Sequence, residues 1–163
     1  MKNFDWSSFT RKIAIKAPVP AIYDAWSKSA EIERWFLRDA QYFDAEGQLI
    51  DAKSNVSVGS TYKWSWYLYD YVGEGMINEA NGKDYLQFTF EGCIVNIHLR
   101  QEGGWTIVEL TQENIPEDDE SKKNIRLGCD AGWSFYLVNL KSIYEGGIDL
   151  RNKDTALNPM LNN

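Results

Sequence analysis

The chain has 163 residues, long enough to bury about 70% of its unfolded surface around one core without disulfide or metal staples. Hydrophobic residues make up 44% and charged residues 25%, ordinary for a globular protein, but seven Trp, nine Tyr and seven Phe are many. A formal charge of −7 disfavours nucleic acid and anionic membrane surfaces, because both are bound through dense Lys/Arg patches that are missing here.

Residues Met1 to Ile13 carry charges and serines where a secretory signal would be apolar, and no later stretch approaches the length of a membrane span. A cytoplasmic location is therefore expected. Phe9 to Ala17 alternates with the period of a half-exposed strand. Pro18 and Pro20 break it, and Val19, Ile22, Tyr23 and Trp26 then fall at helical spacing behind prolines that suit a helix start. Ser29 is placed to cap a second short helix carrying Ile32, Trp35 and Phe36. A strand around Ala40 to Asp44 follows, and Glu46 to Gly59 reads as a polar loop.

From Ser60 the pattern is a meander: Tyr62 to Tyr69, Val72 to Glu79, Tyr85 to Glu91, Cys93 to Gln101 and Trp105 to Glu113. Asn81-Gly82, Glu91-Gly92 and Gly103-Gly104 supply glycine where hairpins need positive φ. Pro116 and the acidic run Glu117 to Glu120 introduce a helix from about Ser121 to Glu145, since acidic side chains favour the positive N-terminal end. Its stripe is Ile125, Cys129, Trp133, Tyr136, Leu137, Leu140 and Tyr144, and Gly146-Gly147 ends it. At on the order of 35 Å it is long enough to cross several strands. The expected class is α+β, with an antiparallel sheet of about six to seven strands covered by one long helix. A single domain, residues 1–163, is expected, with flexible tails at 1–8 and 153–163.

The turns predict registers. A two-residue turn at Glu91-Gly92 pairs Phe90 with Cys93, Phe88 with Val95 and Leu86 with Ile97 on one face. A turn at Gly103-Gly104 places Leu99 against Val108, Ile97 against Leu110 and Val95 against Gln112 on that same face. The alternation of Tyr62, Trp64, Trp66 and Leu68 adds these residues to it, beneath the helix. The residues expected to line a cavity there are Tyr62, Trp64, Trp66, Phe88, Phe90, Val95, Gln112, Cys129, Trp133 and Tyr136, with Gln112 and Tyr136 orienting a polar end.

His98 falls on the opposite face, beside Tyr85 and Glu109, and reads as a surface imidazole rather than a general base. One His and two Cys on different faces do not make a metal site, and Cys93 and Cys129 read as small buried hydrophobes. No cofactor is expected. Gly73-x-Gly75 reads as a strand bulge, and Gly128-xxx-Gly132 as a helix kink or close packing against the sheet.

The element order resembles the helix-grip fold of START domains and the birch pollen allergen superfamily. The segments APVPAIYDAWSKSAEIERWF, FTF after a G-x-G strand, and GWSFYLVNLKSIYEGGIDLR further resemble the family named for the C-terminal domain of the activator of heat-shock protein 90 ATPase. The likeness spans roughly residues 9 to 152, and its specific residues are packing residues, with no catalytic signature. The inner aromatic set points to binding of a small hydrophobic ligand (lipid, sterol or aromatic polyketide-like) between sheet and helix. Two alternatives accompany it. One is a cyclase or hydrolase type of enzyme in which Tyr62, Gln112 or Tyr136 polarises a carbonyl. The other is a protein-binding module for a chaperone, using the outer face near Trp105, Ile107 and Arg100.

Overall fold

The computed structural model describes residues 3–160. Strand β1 (Phe9–Ile15) leads into α1 (Val19–Ser27), α2 (Ser29–Ile32) and β2 (Asp39–Phe43). The meander follows as β3 (Thr61–Ser65), β4 (Val72–Ala80), β5 (Tyr85–Phe90), β6 (Cys93–Glu102) and β7 (Trp105–Glu113). All neighbours are antiparallel, in the order β1-β7-β6-β5-β4-β3-β2. The first strand thus closes against the last, and this curved seven-stranded sheet wraps the C-terminal helix in a helix-grip arrangement. No helix among the described residues is long and apolar enough to cross a membrane.

Both predicted hairpin registers are present. Phe90 pairs with Cys93, Phe88 with Val95 and Leu86 with Ile97, while Leu99 pairs with Val108, Ile97 with Leu110 and Val95 with Gln112. Tertiary packing agrees with local turn chemistry here, because a one-residue slip would turn every one of these apolar side chains outward.

Several boundaries differ from the sequence expectation. The strand expected over Tyr62 to Tyr69 ends at Ser65, since the chain must turn to reach β4 and Leu68 adopts φ 64°. Trp66 therefore reaches the inner side from a loop, not from a strand face. Ser29 is the first helical residue of α2 and not its cap; Lys28 occupies the cap position without a side-chain capping bond. That helix stops at Ile32, so Trp35 and Phe36 enter the core from the turns beyond it.

The C-terminal helical run starts earlier than expected, at α3 (Asp119–Ser121). Asp118 caps it, its carboxylate accepting from the Ser121 backbone N–H at 2.9 Å. The run continues through a π-helical segment, Lys122–Leu127, into α4 (Gly128–Tyr144), and Gly146 follows with φ 80°.

The segments flanking the fold are held by specific bonds. Ile115 N–H donates to the Ser7 carbonyl at 3.0 Å, and Arg126 lies over the rings of Phe4 and Phe9. After α4, the buried Arg151 guanidinium donates to the carbonyls of Leu37, Glu33 and Arg34 and to Asp149. This locks the 33–37 turns against the helix end. Of the expected tails, residues 1, 2 and 161–163 lie outside the described residues.

Candidate ligand-binding site

The space beneath α4 is filled at depth and open at one end. In the deep part, Tyr62 stacks on Trp64 at 3.8 Å between ring centroids. Phe88 contacts Trp26, Trp64 and Trp133, and Trp26 meets Trp35 edge-on at 4.7 Å. Trp26, Trp35, Tyr42, Trp64, Phe88, Val95 and Gln112 are essentially without solvent contact. Rings packed edge to face at these separations leave no room for a guest.

The G-x-G of β4 makes this packing possible. A Cβ on Gly75 would come within 2.5 Å of the Tyr62 ring, and one on Gly73 within 3.1 Å of Trp66. These glycines are there for close approach of rings; the register shift in β4 lies further on, between Ile77 and Glu79.

The opening lies where the π segment passes over the end of the β5–β6 hairpin. A cleft of about 290 Å³ has Phe36, Trp66 and Phe90 as its floor and Glu91 at its rim. Its helical wall is Asn124, Ile125, Gly128, Cys129, Gly132, Trp133 and Tyr136. A second cleft of about 210 Å³ adds Tyr69 and Tyr71, and shares Trp66, Phe90, Glu91 and Tyr136 with the first. Of the residues expected to line a cavity, Trp66, Phe90, Cys129, Trp133 and Tyr136 are brought together here. Tyr62, Trp64, Phe88, Val95 and Gln112 are in the packed core behind them.

The helix supplies two reasons for the opening. Gly128 and Gly132, one turn apart, present bare backbone where side chains would otherwise close the gap. The π segment widens the turn before them and places Asn124 and Ile125 on the cleft wall. In the sequence these two glycines read as a helix kink or close packing against the sheet; the structure instead puts both on the cleft wall. Phe36, Glu91, Tyr69 and Tyr71 had no comparable signal, because they come from turns whose paths depend on the whole fold.

The cleft holds little acid–base chemistry. Among the described residues Glu91 is the only carboxylate on its walls, and neither Lys nor Arg lines it. Burial pushes the Cys129 thiol up to about 12 and raises the Cys93 thiol and the Tyr136 phenol. Both thiols are free. Two of the three groups expected to polarise a carbonyl are committed elsewhere, while Tyr136 lines the cleft. Tyr62 O–H donates to the Thr89 carbonyl at 2.6 Å, and the Gln112 side-chain oxygen accepts from Trp133 Nε1–H at 2.9 Å.

His98 stacks on Tyr85 at 4.5 Å and pairs across the sheet with Glu109, on the face away from the cleft. Among the described residues no group of three His, Cys, Asp or Glu has metal-ligand spacing. On the outer face, Ile107 pairs with Arg100 and Trp105 is 40% exposed, with the Lys141 ammonium 4.9 Å from its ring.

The family model for Activator of Hsp90 ATPase homolog 1-like protein matches residues 16–145. A comparison with curated proteins gives no match. Protein SSP2350 from Staphylococcus saprophyticus superimposes with TM-score 0.70 at 18% identity, over 88% of this chain and 96% of that one. The Aha1 dimer from Colwellia psychrerythraea gives TM-score 0.66 at 19% identity, over 86% and 97%. DynU16, a protein in the dynemicin biosynthetic locus, gives TM-score 0.69 at 16% identity, over 90% of this chain and 50% of its own. At such identities the likeness to these structures is one of fold.

Proposed function

The chain belongs to the Activator of Hsp90 ATPase homolog 1-like family, and on that premise we propose that it binds a small hydrophobic molecule in the cleft at the open end of the helix grip. The observation that carries this reading is the pair Gly128 and Gly132, which leaves an aromatic floor uncovered beneath an otherwise close-packed helix. Apolar surface of Phe90 and Trp66 that faces solvent costs hydrophobic free energy, and an apolar guest that covers it recovers that cost.

Size narrows the ligand. Cavities for drug-sized molecules run from about 300 to 1,000 Å³, and the main cleft has about 290 Å³ with about 210 Å³ adjoining. A compact ring system fits better than a two-chain lipid. The resemblance in fold to a protein in the dynemicin biosynthetic locus is compatible with an aromatic natural product. Catalysis is the weaker reading, because burial holds the wall's thiol and phenol neutral and leaves Glu91 as the charged group beside them.

Trp66 and Trp133 both line the cleft, so intrinsic fluorescence reports occupancy. Titration with sterols, single-chain lipids and aromatic polyketides, together with mass spectrometry of co-purified molecules, tests the proposal. Saturable quenching that disappears in Gly132→Leu supports it. No response from any class and no co-purified molecule would refute it.

A further inference from the structure

The smaller cleft differs in character from the larger. Among the described residues its walls are Trp66, Tyr69, Tyr71, Phe90, Tyr136 and a single carboxylate, Glu91. Tyr69 and Tyr71 are 38% and 50% exposed; the Tyr71 ring lies beside Trp66, and Tyr69 O–H donates to the Met160 carbonyl at 3.3 Å. Trp66 and Tyr71 are near-parallel, 20° apart, with centroids at 5.9 Å, and Phe90 meets Trp66 at 66°. Five aromatic side chains thus line one cleft.

Glu91 is the charged member, at the tip of the β5–β6 turn. Tyr71 O–H donates to its Oε1 at 3.1 Å, a bond that leaves the charge in place. Among the described residues no Lys or Arg pairs with Glu91, whereas Asp24, Glu31, Glu109, Asp130, Glu145 and Asp149 all have such partners. Arg151 and Lys153 lie over Tyr67 and are paired with Asp149. With a net charge of −7 the chain does nothing to offset this local negative potential.

Aromatic faces around one uncompensated carboxylate are the chemistry that recognises an alkylated ammonium, whose charge is spread over C–H groups that pack on ring faces. A primary ammonium is more strongly hydrated and needs several acceptors, while an anion would face Glu91 with no cationic partner. We propose that this cleft receives a tertiary or quaternary alkylammonium group, carried on a ligand whose apolar body fills the adjoining 290 Å³ space. The proposal rests on the ligand-binding reading and specifies the ligand's charge.

The test compares benzyltrimethylammonium with its neutral carbon isostere, neopentylbenzene, on the full chain by tryptophan fluorescence. The cation is expected to bind about tenfold tighter, and raised salt should weaken the cation alone. Glu91→Gln and Tyr71→Leu, both at exposed positions, are each expected to lower the cation's affinity about three- to tenfold. The isostere should change less than about twofold. Equal affinities, or a preference that survives both substitutions, overturns the cation assignment while leaving a hydrophobic cleft intact. Absence of binding by either probe also overturns it, and the neutral aromatic titrations then decide the underlying reading separately.

Discussion

The indole N–H of Trp133 donates to the side-chain oxygen of Gln112 at 2.9 Å, tying the middle of α4 to the inner face of β7. Both residues are buried. The amide nitrogen of Gln112 has no oxygen partner and lies beside the Cys93 and Cys129 thiols, which are weak acceptors.

Gln112→Leu should destabilise the fold by about 1–3 kcal/mol, because it strands a buried indole N–H. Adding Trp133→Phe removes the stranded donor, so the double variant should lose less than the sum of the singles. Denaturant unfolding of all four proteins measures the coupling. Strict additivity would mean that the bond contributes nothing.

Gly128→Ala should separate stability from binding. The backbone there is helical, φ −66°, and an added Cβ meets only the Lys123 carbonyl, at 3.8 Å. The substitution is expected to stabilise by about 0.5–1 kcal/mol through the unfolded chain. Gly128→Leu should instead weaken ligand binding by filling the cleft. Thermal melts and ligand titrations on both variants check the two effects.

Gly75→Ala should be the more damaging of the two β4 substitutions. Its Cβ would overlap the Tyr62 ring, forcing that ring off the Thr89 carbonyl and off Trp64. A loss of about 1–3 kcal/mol is expected from overpacking. Gly73→Ala meets the outer edge of Trp66 at 3.1 Å and the Tyr71 ring at 3.6 Å. It should cost less and disturb the cleft more, which unfolding and fluorescence titrations together would show.

Cys129 should resist alkylation in the native protein. Its thiol is pushed up to about 12 by burial, from an ordinary 9, so little thiolate forms at neutral pH. A folded value above the unfolded one stabilises the native state fully below pH 9, and that contribution is lost as pH rises toward 12. Cys129→Ser removes the titrating group and should flatten the alkaline fall in stability. Alkylation rates against pH, and unfolding between pH 8 and 11, provide the measurements; an alkylation midpoint near 9 would contradict the assignment.

Much of this fold is written in local pattern. Gly92 and Gly103 take positive φ in the turns where the chain supplies them, and the strand pairs on either side follow from period-two alternation. The stripe from Ile125 to Tyr144 and the close at Gly146 are equally local. His98 could be assigned to the outer face because its strand neighbours are fixed by the same turns.

What only the tertiary structure decided is which aromatic residues are core and which are wall. Trp64 and Trp66 look alike in the sequence, yet Trp64 is sealed under Phe36, Phe88 and Tyr62 while Trp66 borders open space. The difference arises because β3 ends at Ser65 and the helix above carries glycine at 128 and 132. Alternation tells which face a side chain joins. Whether that face is covered depends on volumes brought from α2, β4 and the C-terminal helix, and no single segment encodes their sum.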